Sequence, residues 1–225
     1  IRPNPLGGIN HEFFQRLGGG FAGAIGVTPS WILAGFVVLV LVWMTVAKRR
    51  AKASYEVPNN PLWLDGAMVL VPAVIVLAFV AAMNSYQIGS KEAPQGIPIP
   101  VLIWATVAVT LSFIVHRTRF GRYVFAMGGN PEAAALVGIP VRRVTLMLFA
   151  LIGVLITVAA MVSIARLNAG TNSLGTSMEL YVIAAAVIGG AALSGGSGSI
   201  LGSVLGALIM QSIYSGMLLL DVSIG

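Results

Sequence analysis

VTLMLFALIGVLITVAAMVSI, residues 144–164, runs for twenty-one positions without a charge. As a helix rising ~1.5 Å per residue it reaches about 31 Å, enough to cross a hydrocarbon core of ~30 Å. Five further apolar runs accompany it: residues 30–47, 66–83 with Pro72 inside, 98–115, 180–194 and 199–220. Runs of about 18 or more apolar residues predict membrane-spanning helices, and five of the six qualify. The run at 180–194 has fifteen residues, about 22 Å as a helix. Extending it back through Ser177 and Met178 lengthens it but brings Glu179 to the interface. A tilted span, a broken helix and a re-entrant segment lining a cavity all fit that length; a span is the reading taken. The expected fold is an all-α polytopic transmembrane helix bundle of about six spans, with residues 1–225 as one domain.

Composition points the same way. Of 225 residues, 57% are hydrophobic and 9% charged, whereas a water-facing domain carries roughly 25% charged residues. The 27 glycines also suit membrane helices, where glycine is commoner than in soluble ones. With no cysteine, a disulfide framework and a thiolate metal site are excluded. The net charge of +6 raises a nucleic-acid partner, but the basic residues are few and lie between apolar runs. They read as orientation signals, and no nucleic-acid partner is expected. The chain opens at Ile1 on a polar stretch without a signal-peptide pattern, and is expected to begin and end inside a longer protein.

Charge placement sets the sidedness. Lys48, Arg49, Arg50 and Lys52 follow the first run, and Arg117, Arg119, Arg122, Arg142 and Arg143 lie between the third and fourth. These nine of thirteen basic residues fall in two loops that alternation puts on one side, which the positive-inside rule makes cytoplasmic. Residues 84–97 and 167–177 become outer loops. Residues 1–29, rich in Gly and Pro, read as a surface loop.

The cytoplasmic segment 116–143 contains FGRYVFAMGGNPEAAALVGIPVRR, residues 120–143. Asn130 caps a helix, Pro131 suits its first turn and Glu132 complements the positive end of its dipole. Ala133, Ala134, Ala135, Leu136 and Val137 continue it, and Gly138 stops it before Ile139 and Pro140. A capped connector would look like this. So would a docking helix that lies along the membrane and seats in a partner's groove.

Gly128-Gly129-Asn130-Pro131-Glu132-Ala133-Ala134, followed by Val137-Gly138-Ile139, resembles the permease signature of the ribose/xylose/galactose class of ATP-binding-cassette importers. Residues 163–170 (SIARLNAG), 180–190 and 192–206 (ALSGGSGSILGSVLG) extend the resemblance, which is strong over roughly residues 98–222 and most similar to the xylose type. It implies a bacterial inner-membrane permease for a monosaccharide, working as a pair of permease subunits. A periplasmic sugar-binding protein would deliver cargo, and cytoplasmic ATPase subunits would contact Gly129, Asn130, Pro131, Glu132, Ala133, Ala134, Gly138 and Ile139. It also implies that the family's N-terminal spans, one with an Ile-Asp-Leu-Ser-type motif, and its last span lie outside this chain.

Gly198, Gly202 and Gly206 recur every fourth residue beside Ser199 and Ser203, a small-residue face of the kind that lets membrane helices approach. The pairs Gly189-Gly190 and Gly195-Gly196 allow bends. Leu193-Ser194-Gly195-Gly196-Ser197 mimics an ATPase signature loop. The chain has no G-x-x-x-x-G-K-[ST] phosphate cradle, so the mimic reads as a turn between membrane helices. Gln211, Glu179 and Asn168 are candidates for the substrate path, because polar groups at membrane depth face a cavity or a partner. Interhelical hydrogen bonding by Gln211, and interfacial anchoring of Glu179, Arg166 and Asp221, are the competing readings. His11 and His116 fall in loops of opposite sidedness and seven carboxylates are scattered, so no catalytic centre, metal or cofactor is expected. Another small solute (a nucleoside, a furanose signal or a branched-chain amino acid) stands as the alternative cargo. An ion-driven secondary transporter and a membrane scaffold stand as alternative classes. The first commonly needs ionisable residues inside its spans, and these long runs carry none.

Overall fold

The computed structural model describes residues 16–19, 23–54, 61–85, 96–167 and 175–220. Its helices are α1 (Val27–Ser54), α2 (Leu62–Ser85), α3 (Ile99–Arg117), α4 (Arg119–Gly129), α5 (Pro131–Leu136), α6 (Val141–Leu167), α7 (Met178–Ile188) and α8 (Ile200–Leu219). The architecture is all-α. Five of these helices, α1, α2, α3, α6 and α8, are long and apolar enough to cross a membrane. Along α6, the large apolar side chains of Leu146, Phe149, Val154 and Ile156 are exposed, a surface that acyl chains rather than water would solvate. The chain divides into two compact units, Ile1–Leu102 with Ala165–Asn168, and Ile103–Ile164 with Ala169–Gly225.

In the first unit α1 and α2 form a hairpin. Arg49, near the end of α1, pairs with Asp65 in the first turn of α2. Asp65 also complements the positive end of its own helix dipole. The apolar runs read from the sequence are therefore only the middles of these helices. α1 continues through Lys48, Arg49 and Arg50, whose long stems let charged heads leave the apolar layer.

Residues 1–29 do not all belong to a surface loop. Within the described part, α1 already starts at Val27, and residues 23–26 pair with residues 96–99. Ile25 N–H donates to Ile97 O at 3.2 Å, and Ile99 N–H donates to Gly23 O at 2.7 Å. Ser30 closes the knot. Fully buried, its Oγ donates to Gly26 O at 2.6 Å and accepts from Ile97 N–H at 2.9 Å. A Cβ on Gly96 would run into Gly26 O, so only glycine lets the two segments meet. Ala34, Val80 and Ile97 form the core beneath, with Ile25, Leu33, Val76 and Val101 against it. The starts of α1 and α3 are thereby held side by side. Replacing Ser30 with Ala leaves Ile97 N–H buried without its acceptor. We expect a loss of about 1–3 kcal/mol, read as a lower unfolding temperature in detergent; an unchanged transition would contradict the role given to this hydroxyl.

The fifth apolar run departs most from expectation. A span is expected over residues 180–194, whereas α7 has 11 residues, about 16 Å in length and too short to cross on its own. Gly189-Gly190 is the reason. Gly190 adopts φ 84°; its N–H bonds Val187 O at 2.9 Å and Ala191 N–H bonds Ala186 O at 2.9 Å. This is a Schellman ending, which glycine at the left-handed position makes nearly strain-free.

Candidate functional site

The cytoplasmic-loop candidate lies wholly in the second unit and is built from three corners. At the first, Thr118 Oγ1 donates to Ile114 O at 2.6 Å and accepts from Gly121 N–H at 3.4 Å. A Cβ on Gly121 would meet Val115 O, so α4 can fold back tightly from α3 only with glycine there. α4 is amphipathic: Arg119, Arg122 and Ala126 are exposed on one side, while Phe120, Val124 and Met127 are half-buried on the other.

At the second corner Asn130 ends α4 and caps α5. Its Oδ1 accepts from both Glu132 N–H and Ala133 N–H at 3.0 Å, with Pro131 at the first helical position. At the third, Gly138 takes φ 85°. Gly138 N–H bonds Ala135 O at 3.0 Å and Ile139 N–H bonds Ala134 O at 3.1 Å, a second Schellman ending. Between these stops, Ala134 is buried and the rest of α5 faces outward. Leu136 and Val137 are 89% and 78% exposed. These two apolar side chains stand together at the end of α5 and its cap.

α4 ends against the turn that joins α7 to α8. Gly195 and Gly196 in that turn have φ 85° and 75°. A Cβ on Gly128 would lie 2.5 Å from Gly196 N, and one on Gly195 would strike Gly128 O. The backbones touch directly. The turn itself is closed by Gly195 N–H to Ala192 O at 3.0 Å and Ala192 N–H to Ser197 O at 3.1 Å. Ser199 then caps α8, its Oγ accepting from Gly202 N–H at 2.9 Å.

α7 and α8 pack antiparallel through small residues. A Cβ on Gly202 would collide with Gly189 O, and one on Gly206 with Ala185 O. Farther along, the rings of Tyr181 and Tyr214 meet edge to face, centroids 6.0 Å apart at 88°, a favoured aromatic geometry. Gly198 differs from its two companions. It precedes α8, and a Cβ there would only touch Ala191 at 3.4 Å, so the three glycines do not share one helical face.

Among the substrate-path candidates, Glu179 is exposed in the first turn of α7. Gln211 is exposed in the middle of α8, where its Nε2 donates to Ser215 Oγ at 3.4 Å within the same helix. Asn168 lies outside the described residues, as does Asp221. Among the described residues no cluster of three His, Asp or Glu could hold a metal ion. Sequence reasoning missed Ser30, Asp65, Tyr181 and the role of Gly128. The pairs Gly128-Gly129 and Gly195-Gly196 were the one local signal for the last.

Five apolar helices of crossing length, with capped polar corners between them, define a multi-pass membrane protein. A family model described as "Branched-chain amino acid transport system / permease component" matches residues 17–223, and the chain belongs to that family. It is 42% identical over 191 residues to the xylose transport system permease protein XylH of Haemophilus influenzae, covering 85% of this chain and 49% of that protein. It is 43% identical over 150 residues to XylH of Escherichia coli, covering 67% of this chain and 36% of the relative. To the ribose import permease protein RbsC of Escherichia coli it is 42% identical over 130 residues, 58% of this chain and 40% of that protein. The chain thus spans about half, or less, of the length of the curated relatives it matches. No solved structure matches.

Proposed function

We propose that this chain is part of the permease subunit of an ATP-binding-cassette importer that carries a monosaccharide across the bacterial inner membrane. The observation that carries the reading is α5, capped at both ends, exposing Leu136 and Val137 and lying between the basic flanks Arg117–Arg122 and Arg142-Arg143. Such a helix suits the groove of a cytoplasmic ATPase subunit. Residues 116–143 then form the coupling loop of a single permease domain, with Gly129, Asn130, Pro131, Glu132, Ala133, Ala134, Gly138 and Ile139 as its contact segment. A periplasmic binding protein would deliver sugar on the other face, and a second permease subunit would complete the pathway. In this reading the chain hydrolyses no ATP; energy enters through the lever of α5.

Cargo follows from the named relatives. The family description mentions branched-chain amino acids, but the relatives above are named for xylose and ribose, which favours a pentose-like sugar. Gln211 is the best path candidate on physical grounds, because an exposed amide in mid-helix is costly against acyl chains and suits a polar path or a second subunit. Glu179 and Asn168 are further candidates near run ends.

Two measurements on the full-length protein test this. Co-expressed ATPase should co-purify with it in detergent. Single cysteines, introduced on a cysteine-free background, should be labelled from outside intact cells at Gln95 but not at Arg119. Absence of a bound ATPase, or strong external labelling at Arg119, would overturn the assignment.

A further inference from the structure

We infer that Gly128 is a positioning residue whose backbone contact with the Gly195-Gly196 turn carries the movement of the coupling segment into the α7–α8 hairpin. The inference rests on the reading of α5 as the segment an ATPase moves. Three observations support it. The contact is backbone on backbone: Gly128 meets Gly196 N, Gly195 meets Gly128 O, and a Cβ on Gly196 would lie 3.1 Å from Gly129 N and Cα. No side chain stands between them to absorb a displacement by changing rotamer. Close-packed contacts of this kind pass on sub-ångström shifts instead of damping them.

The contact also sits at the right place on both partners. On one side it is two residues from Asn130, whose Oδ1 fixes the start of α5. On the other it is three residues from Ser199, which caps α8. The hairpin beyond is itself locked by Gly189 against Gly202 and Ala185 against Gly206, so a push at the turn moves α7 and α8 together. That hairpin carries Glu179, Tyr181, Gln211 and Tyr214. A path of direct contacts therefore runs from α5 to the helices that hold two of the path candidates. Such a path becomes a coupling route only when perturbing it changes the coupling.

The structure supplies a matched control. Gly128 in α4 and Gly153 in α6 lie within helices, and neither has a positive φ, so alanine at either site favours the helix by itself. A Cβ on Gly128 would enter the turn, whereas one on Gly153 would meet nothing within 4 Å. The experiment uses the full-length permease with its ATPase and sugar-binding protein in proteoliposomes. It compares Gly128→Ala, Gly153→Ala and wild type for ATPase co-purification, basal hydrolysis and hydrolysis stimulated by sugar-loaded binding protein. Gly128→Ala should keep the ATPase and its basal rate while its stimulation falls at least about tenfold, within the usual range of coupling energies. Gly153→Ala should match wild type throughout. Undiminished stimulation in Gly128→Ala overturns the inference, and so does loss of the ATPase itself, which would place Gly128 in the docking surface. Failure of wild type to hold an ATPase would instead remove the underlying reading.

Amide exchange on the wild-type complex gives an answer that needs no folded variant. Trapping with ATP and vanadate should change protection of residues 128–133 and 194–198 together. A change confined to 128–133 would show that the turn does not follow the coupling segment.

Discussion

Gly206→Leu should abolish recovery of folded protein in detergent, and Gly206→Ala should already lower it clearly. A β-carbon at 206 meets Ala185 O and lies 2.9 Å from Gly189 N. The obstacle is backbone at the end of α7, which cannot swing aside as a flexible side chain would. Overpacking commonly costs ~1–3 kcal/mol, and leucine adds three further carbons to the same collision. Membrane helices gain little from hydrophobic association, so losing close approach removes much of what holds the pair together. Gly202→Ala should behave alike, because its Cβ meets Gly189 O. Gly198→Ala, with only Ala191 nearby at 3.4 Å, should be close to neutral. The yield of monodisperse protein and its unfolding temperature read the series. Equal stability of the Gly206 and Gly198 variants would show that α7 and α8 do not meet along this face.

Glu132→Lys and Gly138→Trp should each abolish sugar-stimulated ATP hydrolysis by the full-length complex, with membrane insertion intact. Glu132 is exposed in the first turn of α5. Reversing its charge costs the helix only ~0.3–1 kcal/mol through the dipole, so a complete loss of stimulation would have to come from the partner surface. Gly138 stands in open space at φ 85°. Tryptophan there strains the Schellman ending by ~1–2 kcal/mol and places an indole beside Leu136 and Val137. Gly138→Asn is the informative companion, since asparagine tolerates the left-handed conformation; it should keep most of the stimulation. Wild-type stimulation in both Glu132→Lys and Gly138→Trp would make α5 a connector.

The helical membrane architecture was legible because the bilayer imposes length and composition on every span, as residues 144–164 illustrate within α6. α5 was legible for a different reason. Its cap, first-turn proline and terminal glycine are local chemistry, and Asn130, Pro131 and Gly138 stand at the positions that chemistry dictates. Helix ends inside apolar stretches were not legible. Hydropathy runs on to residue 194, while the backbone at Gly190 has already turned left-handed. Contacts between glycines were the least accessible. Gly128 and Gly196 are far apart in sequence, carry no side chain and leave no periodic trace; the same holds for Ser30 and Ile97, joined across 67 residues. Polarity alone singled out Gln211 and Glu179, and polarity does not say what faces them.

Under the proposed function, the full-length protein carries a monosaccharide inward at the expense of ATP. Uptake of radiolabelled xylose and ribose into proteoliposomes holding the permease and its ATPase, with binding protein outside and ATP enclosed, tests it most directly. The expected result is accumulation of a pentose that needs both ATP and the binding protein and survives collapse of the ion gradients, with no accumulation of leucine. Uptake that persists without ATP and disappears with an ionophore, or accumulation of leucine in place of sugar, would contradict it.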